Sequence, residues 1–264
     1  MLRTWRVFPS AKPRGARPTD EYVGLARWRC SLMADTWDEH NRTMADNDKK
    51  RDAVQAPSLA ERFSGFDPAT LFEAAGRQGM IDPAIRPAWR GAKICGVAAT
   101  VECPPGDNLM LHLAVAEADE EVVLVANVSS FLLAGAWGEV LTVAAQARGI
   151  VGLVIDGAVR DIDAIERLGF PIFSRGLAIG ACSKERPGKL NQPVQIGGVT
   201  VRPGDIIVGH SDGLVVVDRT RADEVYENAA KRQHKEAEMI EQLRRGRTTV
   251  ELLGLSGFGG QKRS

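Results

Sequence analysis

The amino-acid sequence predicts an α/β fold with a parallel sheet at its centre, and three observations support this prediction. Apolar, β-branched runs at residues 121–128 and 150–156 are typical of buried parallel strands. Between them, residues 140–147 carry an apolar stripe at helical spacing, which predicts a crossover helix. Short β runs broken by Gly and Pro turns between residues 194 and 218 predict an antiparallel region beside this core.

The first elements of the folded domain carry clear local signals. Ser58 and Glu61 have the spacing of a capping box, which predicts a helix start at this point. A second helix is predicted to begin after Asp67, where proline occupies the first helical position. Residues 93–103 are an apolar run that predicts a strand, and Asp107 is placed to cap the helix that follows.

The elements after the second central strand alternate in the same way. Residues 161–168 predict a short helix that ends at Gly169, and residues 170–176 predict a third parallel strand. From Thr220 to Arg245 the sequence is mostly charged and is followed by glycine, which predicts one long C-terminal helix. Its apolar face is thin, so we expect this helix to lie across a partner subunit rather than in a core.

Composition argues against several classes of protein. The chain has 264 residues with 34 basic and 34 acidic side chains, so no basic excess favours nucleic-acid binding. Its four cysteines form no CxxC pair, which argues against a zinc ribbon or a disulfide scaffold. The longest stretch without a charge, residues 122–138, contains polar and glycine residues and does not suit a membrane span. We therefore expect a cytoplasmic protein that binds neither nucleic acid nor a membrane.

The chain divides into three parts by composition. Residues 1–57 carry five basic side chains before the first acid, lack the apolar core of a secretory signal and contain three of the five tryptophans. We expect them to form an arm that is partly flexible or packs on a neighbouring subunit. Residues 58–250 are predicted to form the α/β domain with its C-terminal helix, and residues 251–264 a tail.

Two loops are predicted to share one pocket at the carboxyl ends of the central strands. A right-handed crossover places the loop of residues 129–139 beside the loop of residues 157–161. Such strand ends are where α/β proteins bind their ligands. The first loop contains glycines at positions 135 and 138, and the second ends in the adjacent pair Arg160 and Asp161.

The residues of these loops predict a site for a small carboxylate bound beside a metal ion. The N–H groups of residues 138–141, at the helix start, have no helical partner and can receive an anion. The Arg160 guanidinium is a planar fork suited to a carboxylate. Glu139 and Asp161 supply hard oxygen ligands, which suit Mg²⁺ or Mn²⁺. The alternative interpretation is a solvated Arg–Asp pair without chemistry, which spacing alone does not exclude.

The pattern Gly135-x-x-x-Glu139, followed after twenty residues by Arg160-Asp161, resembles a known signature, G-x-x-x-D-x20-R-D. It is that of the family of 4-hydroxy-4-methyl-2-oxoglutarate and 4-carboxy-4-hydroxy-2-oxoadipate aldolases, which also includes the regulator of ribonuclease E activity A. The similarity extends over roughly residues 58 to 250 and includes GDNLMLH and RPGDIIVGHSDGLVVVD. It implies a swivelling β/β/α-type single domain with a parallel βαβαβ core, an antiparallel β region and the long C-terminal helix.

The resemblance also implies a role for each site residue. Arg160 would bind the substrate carboxylate, and Asp161 would bind Mg²⁺ or Mn²⁺. The pyruvyl end of the substrate would be bound by the N–H groups of the helix start, those of Gly138, Glu139, Val140 and Leu141. Glu139 stands where the family usually has Asp, so its carboxylate reaches one methylene further toward water on the metal.

Residues outside the two loops match the family as well. Glu236, on the long helix, resembles a catalytic glutamate that reaches into the neighbouring protomer's site, although Glu238 and Glu241 are close alternatives. This role would require a homo-oligomer, a C3 trimer or a hexamer made of two trimers. Asn108 and His112 lie four residues apart on one helix face and are expected to support the site rather than to act in catalysis.

The activity implied by the resemblance is that of a divalent-metal-dependent (class II) pyruvate aldolase. Such an enzyme cleaves 4-hydroxy-2-oxo dicarboxylic or tricarboxylic acids to pyruvate and a keto acid, and decarboxylation of oxaloacetate gives the same enolate. A Schiff-base aldolase would need a pocket lysine, and the nearest in sequence, Lys93 and Lys184, lie outside both loops. The alternative is a non-catalytic binding protein resembling the ribonuclease regulator. A phosphohistidine carrier is disfavoured because neither loop contains histidine.

Overall fold

The computed structural model of the protein describes residues 58–255. The predictions for the arm at residues 1–57 and for residues 256–264 of the tail therefore lie outside the described residues. The described part folds around one mixed sheet and contains parallel strands, antiparallel strands and a long C-terminal helix, as the sequence predicts. No helix within it is long and apolar enough to cross a membrane.

The main sheet has the strand order β1-β5-β4-β3-β2-β9-β10, with β6 paired to β2, and β7 and β8 form a separate hairpin. The strands are β1 (Arg86–Pro87), β2 (Ile94–Glu102), β3 (Val122–Trp137), β4 (Gly152–Val159), β5 (Ile172–Leu177), β6 (Lys189–Leu190), β7 (Val194–Ile196), β8 (Val199–Val201), β9 (Ile206–His210) and β10 (Gly213–Val217). Strands β2 to β5 are parallel, whereas β9 and β10 are antiparallel, so the predicted parallel core and antiparallel region share one sheet.

Seven α-helices surround the sheet in the described residues. They are α1 (Leu59–Phe63), α2 (Pro68–Ala74), α3 (Leu109–Glu117), α4 (Glu139–Ala147), α5 (Ile162–Leu168), α6 (Ala222–Arg244) and α7 (Thr249–Leu252), with a 3-10 turn at Arg219–Arg221. The predicted capping box between Ser58 and Glu61 is present, and Gly169 adopts a left-handed conformation where α5 ends. Asn108, not Asp107, is the cap residue of α3, but the Asp107 carboxylate does accept a hydrogen bond from the Leu109 N–H.

The sheet has a core on each face. Helices α3, α4 and α5 cover one face with residues such as Leu111, Leu141 and Ile165. The opposite face packs against the β7–β8 hairpin and the segment of residues 81–92. A third cluster joins α1, α2 and the first half of α6 to β9 and β10. Burial on both faces explains why β4 reads as a continuous apolar run in the sequence, since all eight of its residues are buried.

Strand β3 corrects the predicted boundary of the first pocket loop. The sequence predicts a strand that ends at residue 128 and a loop over residues 129–139, but β3 continues to Trp137. Its pairing with β4 shifts register three times between Asn127, which faces Asp156, and Trp137, which faces Val159. Bulges of this kind are not visible as hydrophobic periodicity, because the extra residues break the alternation that identifies a strand.

Candidate active site

A large cavity in the described part of the chain lies at the carboxyl ends of the parallel strands. It is open to solvent and has a volume of about 960 Å³. Its walls come from the start of α4, the end of β4, helix α5 and the end of β5. The lining residues are Glu139, Val159, Arg160, Asp161, Ile162, Asp163, Ala164, Arg167, Leu177, Ala178 and Ile179. Three predicted site residues, Glu139, Arg160 and Asp161, are therefore brought together in one cavity.

Backbone pairing between β3 and β4 positions Arg160 beside the start of α4. The Arg160 N–H donates to the carbonyl of Trp137 at 2.9 Å, so the Arg160 backbone lies next to Gly138. Trp137 is fully buried and its indole N–H donates to Thr142 Oγ1 at 2.8 Å. The indole also stacks on Phe170, with ring centroids 6.2 Å apart. The turn that presents the helix start is thus anchored in the core.

The two glycines of the first loop allow Arg160 and Asp161 to approach this turn closely. A Cβ atom on Gly138 would lie 2.3 Å from Asp161 Oδ2 and 3.2 Å from Arg160 Cγ. A Cβ atom on Gly135 would lie 2.5 Å from the Ala178 carbonyl oxygen and 2.9 Å from Arg160 Cβ. Neither residue has a positive φ, so both glycines are required for close contact and not for an unusual backbone conformation.

Asp161 directs its carboxylate at the helix start and changes the predicted anion site. Asp161 has the left-handed backbone conformation, with φ of 59°, which is uncommon for a residue other than glycine. Its Oδ2 accepts a hydrogen bond from the Glu139 N–H at 3.1 Å and lies 3.6 Å from Arg160 Nε. The prediction that all four N–H groups of the helix start are available to an anion was wrong in this respect, because Asp161 already occupies one of them.

The remaining predicted residues of the helix start lie at the edge of the cavity or behind it. The first helical hydrogen bond of α4 runs from the Thr142 N–H to the Gly138 carbonyl, so the N–H groups of Val140 and Leu141 precede the helical ladder. The Val140 side chain is 80% exposed, whereas the Leu141 side chain packs in the core. Glu139 alone among these residues lines the cavity.

Glu236 lies far along α6 and does not line this cavity within a single chain. Its carboxylate pairs with Arg232 Nε at 2.8 Å, one helical turn earlier. Glu238 and Glu241, its neighbours in sequence, likewise pair with His234 and Arg244. The structure of one chain therefore does not unite Glu236 with Arg160 and Asp161, and its role across a subunit interface remains a prediction.

The donor groups of the cavity suit a hard divalent cation. Asp161 Oδ1 has no hydrogen-bond donor among residues 58–255, and the Glu139 carboxylate lines the same space. The described residues contain no cluster of three or more His, Cys, Asp or Glu side chains that could enclose a metal. Mg²⁺ keeps several waters and commonly uses one or two protein carboxylates together with its substrate. Two carboxylates in an open cavity agree with this mode of Mg²⁺ binding, whereas a closed structural metal site would need more protein ligands.

Two groups of cavity residues, one on α5 and one at the end of β5, were missed by the sequence argument. Helix α5 contributes Asp163 and Arg167, which are four residues apart and so share a helix face. The end of β5 contributes Leu177 and Ile179, which are 60% and 97% exposed. Helical spacing after Asp161 is the signal that could have identified Asp163 and Arg167. Leu177 and Ile179 follow a strand of ordinary apolar composition, and only the tertiary structure shows that they face the cavity.

A second group of charges lies at the same end of the sheet but is buried. The Asp156 carboxylate accepts hydrogen bonds from Arg175 Nε at 2.5 Å, Ser130 Oγ at 2.9 Å and the Gly197 N–H at 3.2 Å. Arg175 also donates to Asp82 at 2.9 Å. Burial opposes the charge on Asp156, but these hydrogen bonds outweigh it and hold the pKa of the carboxyl below its usual value. The network ties β4, β5, the bulged part of β3 and the β7–β8 hairpin together.

Comparison with known proteins places this chain in a family. The family model described as RraA-like: Aldolase/RraA matches residues 51–216, which is more than half of the chain. The chain belongs to the RraA-like family. The recognition made from the Gly135-to-Asp161 pattern is therefore confirmed at the level of the family.

Relatives of this RraA-like protein include one with a named activity. The chain is 39% identical over 149 residues to a Halalkalibacterium halodurans protein named "Putative 4-hydroxy-4-methyl-2-oxoglutarate aldolase", covering 56% of this chain and 71% of the relative. The chain is also 31% identical to protein DlpA of Legionella pneumophila over 198 residues, which is 71% of this chain. The chain covers only 31% of DlpA, so that protein is much longer than the shared region.

Solved structures support the RraA-like fold. An uncharacterized protein from Pseudomonas syringae matches with a TM-score of 0.66 and 31% identity, over 73% of this chain and 95% of that one. RraAS2 of Streptomyces coelicolor, described as an unusual member of the RNase ES inhibitor RraA protein family, matches with a TM-score of 0.62 and 26% identity. That match covers 73% of this chain and 98% of RraAS2. The predicted fold is confirmed by these matches together with the observed topology.

In this RraA-like chain, the GDNLMLH segment lies behind the cavity and does not line it. The Asn108 amide donates to the Ala136 carbonyl at 2.8 Å, two residues before Gly138, and so helps to fix the end of β3. Burial, followed by repulsion from Lys184, lowers the pKa of His112. Lys184 and Lys93 are likewise absent from the cavity lining, so no described lysine is placed there to form a Schiff base.

Proposed function

We propose that the protein is a divalent-metal-dependent lyase that releases pyruvate from 4-hydroxy-2-oxo acids and decarboxylates oxaloacetate. The observation that carries the proposal is the convergence of Arg160, Asp161 and Glu139 on one open cavity at the start of α4. The relative from Halalkalibacterium halodurans, with the aldolase name given above, supports the same class of reaction. The cation expected in the site is Mg²⁺ or Mn²⁺, because both available donors are carboxylates.

The residues of the cavity divide the binding of the substrate between them. Arg160 is 43% exposed and pairs only loosely with Asp161, so its guanidinium can donate two parallel hydrogen bonds to the substrate's carboxylate. The N–H groups at the start of α4 add a positive electrostatic potential at the same point. Asp161 and Glu139 would hold the cation, which acts as a Lewis acid on the 2-keto oxygen when it is bound.

Cleavage requires the proton of the C4 hydroxyl to leave as the bond between C3 and C4 breaks. We assign Glu139 to orient the water that takes this proton, because its side chain is exposed to the cavity from the first turn of α4. The electron pair of the broken bond moves toward the 2-keto group and gives pyruvate enolate, which is protonated at C3. Loss of carbon dioxide from oxaloacetate gives the same enolate, so one site would serve both reactions.

We further propose that the active form is a homo-oligomer, a trimer or a hexamer. The second half of α6 has no contact with the sheet cores, and Ile240, Val250 and Leu253 along this end are exposed. Two further apolar side chains are exposed near one another: Ile179, which lines the cavity, at 97%, and Leu133, whose carbonyl oxygen lies next to Gly180, at 81%. Contact between these two apolar surfaces in different copies would cover both of them and bring Glu236 toward a neighbouring site.

The second candidate function is that of a binding protein without catalytic activity. The likeness to RraAS2, which is described as a member of an inhibitor family, supports this alternative. A binding role requires neither a metal ion nor the Asp161 carboxylate. The cavity with its two available carboxylates favours the enzyme, because an inhibitor would have no use for them.

The deciding experiment measures pyruvate formation from oxaloacetate and from 4-hydroxy-4-methyl-2-oxoglutarate. We expect activity to be abolished by EDTA, to return with Mg²⁺ or Mn²⁺, and to fall at least about a thousandfold in Asp161→Ala, since metal and carboxylate act only together. Light scattering on the same preparations should give the mass of a trimer or hexamer. Full activity in chelator, or equal rates for wild type and Asp161→Ala, would reject the enzyme; a monomer with full activity would reject the shared site.

A further inference from the structure

We propose that Arg167 is the residue that selects substrates carrying a second carboxylate. This inference rests on the proposed function and concerns the part of the substrate beyond its pyruvyl end. Arg167 lies in the last turn of α5 and lines the same cavity as Arg160, Asp161 and Glu139. When Arg160 binds the first carboxylate of the substrate, Arg167 is the positive side chain of the cavity lining that is left to bind a second one.

The position of Arg167 suits a group beyond the reacting bond. It follows Asp161 by six residues, and a rise of 1.5 Å per residue places it about 9 Å further along the cavity wall. A substrate held by its first carboxylate at Arg160 would extend along this wall. Its second carboxylate is carried on or next to the carbon that bears the hydroxyl, and an arginine side chain can extend toward that point.

The charge balance of the cavity supports an anion at this end. Three carboxylates and two guanidinium groups line it, which gives a formal net charge of −1 before any cation binds. A divalent cation at Asp161 and Glu139 would change this to +1. Arg160 is then used by the first carboxylate, and Arg167 is the other guanidinium in the lining. Within residues 58–255, no carboxylate lies within 4.0 Å of the Arg167 guanidinium, although Asp163 is one turn away.

The surroundings of Arg167 make this contact selective. The cavity that Arg167 lines also has apolar walls, with Ile162, Ala164 and Ile179 among the lining residues. An apolar wall offers a methyl group a contact but offers a carboxylate no hydrogen bond, so the guanidinium decides how well an anionic tail binds. Arginine also presents a planar pair of donors that matches a carboxylate, which lysine does not. Arg167→Lys should therefore restore only part of the effect of the native residue.

The experiment compares two substrates that differ in one group. The first is 4-hydroxy-4-methyl-2-oxoglutarate; the second is 4-hydroxy-4-methyl-2-oxopentanoate, in which a methyl group replaces the second carboxylate. In Arg167→Ala, we expect the ratio of kcat/KM for the first substrate to that for the second to fall by about 10- to 100-fold. This is the size expected when charge-assisted hydrogen bonds are lost. Most of the change should be in the KM of the first substrate.

Two controls separate the possible outcomes. Arg90→Ala removes an exposed arginine that does not line the cavity and should leave the ratio unchanged. Decarboxylation of oxaloacetate by the wild-type protein tests the proposed function separately, because the second carboxylate of oxaloacetate is the group that leaves as carbon dioxide and no further carboxylate lies beyond the bond that breaks. A wild-type protein that cleaves both substrates, with the same ratio in Arg167→Ala, would overturn the assignment of Arg167 alone. A wild-type protein without activity on any of the three compounds would overturn the proposed function and this inference together.

Discussion

The molecule contains two Arg–Asp constellations at the carboxyl end of its sheet, and they differ in almost every physical respect. In the buried one, Asp156 and Arg175 are 9% and 18% exposed and are joined by hydrogen bonds of 2.5 Å and 3.3 Å. In the open one, Asp161 and Arg160 are 42% and 43% exposed, and their nearest charged atoms are 3.6 Å apart. The residue types are the same, and Asp156 in β4 precedes Arg160 and Asp161, which follow the end of this strand, by only a few positions.

The difference shows how the setting of a charge determines its use. Asp156 accepts hydrogen bonds through both carboxylate oxygens, and Arg175 is shared between two acids, so little capacity is left to bind anything else. The Arg160 and Asp161 pair has unused donors and an unused oxygen facing a cavity of about 960 Å³. We therefore interpret the buried constellation as structural and the open one as the binding site.

The largest expected effect tests the buried constellation. Asp156→Asn should lower the free energy of unfolding by roughly 3 kcal/mol, because it leaves the Arg175 charge buried and only partly compensated by Asp82. Asp161→Asn should change it by less than about 1 kcal/mol, since the carboxylate is half-exposed. Urea denaturation at one fixed protein concentration measures both values. Equal destabilisation by the two variants would remove the distinction drawn here.

The next effect tests the open constellation. Gly138→Ala places a methyl group 2.3 Å from Asp161 Oδ2 and must displace that carboxylate or the adjacent Arg160 side chain. We expect pyruvate release to fall by about a hundredfold, since a misplaced catalytic group costs a factor of this order. Gly65→Ala is the matched control, because a Cβ atom there meets nothing within 4 Å and the backbone has no positive φ. Full activity in Gly138→Ala would show that the close contact is not required.

The smallest effect is a dependence of stability on acid pH. Burial alone would raise the pKa of Asp107, but hydrogen bonds from Ser183 and three backbone N–H groups outweigh it and hold the pKa well below its usual range. The pKa of Asp156 is also lowered in the folded state. Below the ordinary pKa of 3.8 the unfolded chain then binds more protons, so stability is complete above that pH and falls as the pH is lowered further.

The size of this dependence tests the contributions of Asp107 and Asp156. The slope should reach at most about 1.4 kcal/mol per pH unit for each of the two carboxyls. Thermal unfolding measured between pH 3 and pH 6 should show a shallower dependence in Asp107→Asn and in Asp156→Asn than in the wild type. A wild-type stability that stays constant on acidification would contradict the contribution assigned to these carboxylates.

Local sequence signals predict most of the fold. The capping box at Ser58 and Glu61, the apolar run of β4 and the glycine after α5 each act within a few residues, so they can be read without the tertiary structure. The bulged extension of β3 could not be predicted in this way. Its residues lack the alternation of a strand, and their conformation depends on β4 and on the Ser130 contact with Asp156.

The site was predictable in its members but not in its details. Sequence spacing indicates that Arg160 and Asp161 lie beside the start of α4, and the structure places them there. The Asp161 carboxylate accepts a hydrogen bond from the Glu139 N–H, and Asp161 has a left-handed backbone conformation. No pattern in the sequence reveals either feature. Helical spacing after Asp161 could have indicated Arg167, whereas Leu177 and Ile179 line the cavity through tertiary packing that no local pattern reveals.

The register of β3 against β4 has a practical consequence for redesign. Eleven residues of β3, from Asn127 to Trp137, pass opposite only four residues of β4, from Asp156 to Val159, and Leu132 and Leu133 in this excess are exposed. Both ends of this excursion are anchored by strand pairing, and within it Phe131 and Gly135 also pair with β4. Substitution of the exposed Leu132 and Leu133 side chains between these two residues therefore alters the apolar surface of the segment while every one of these pairings is kept.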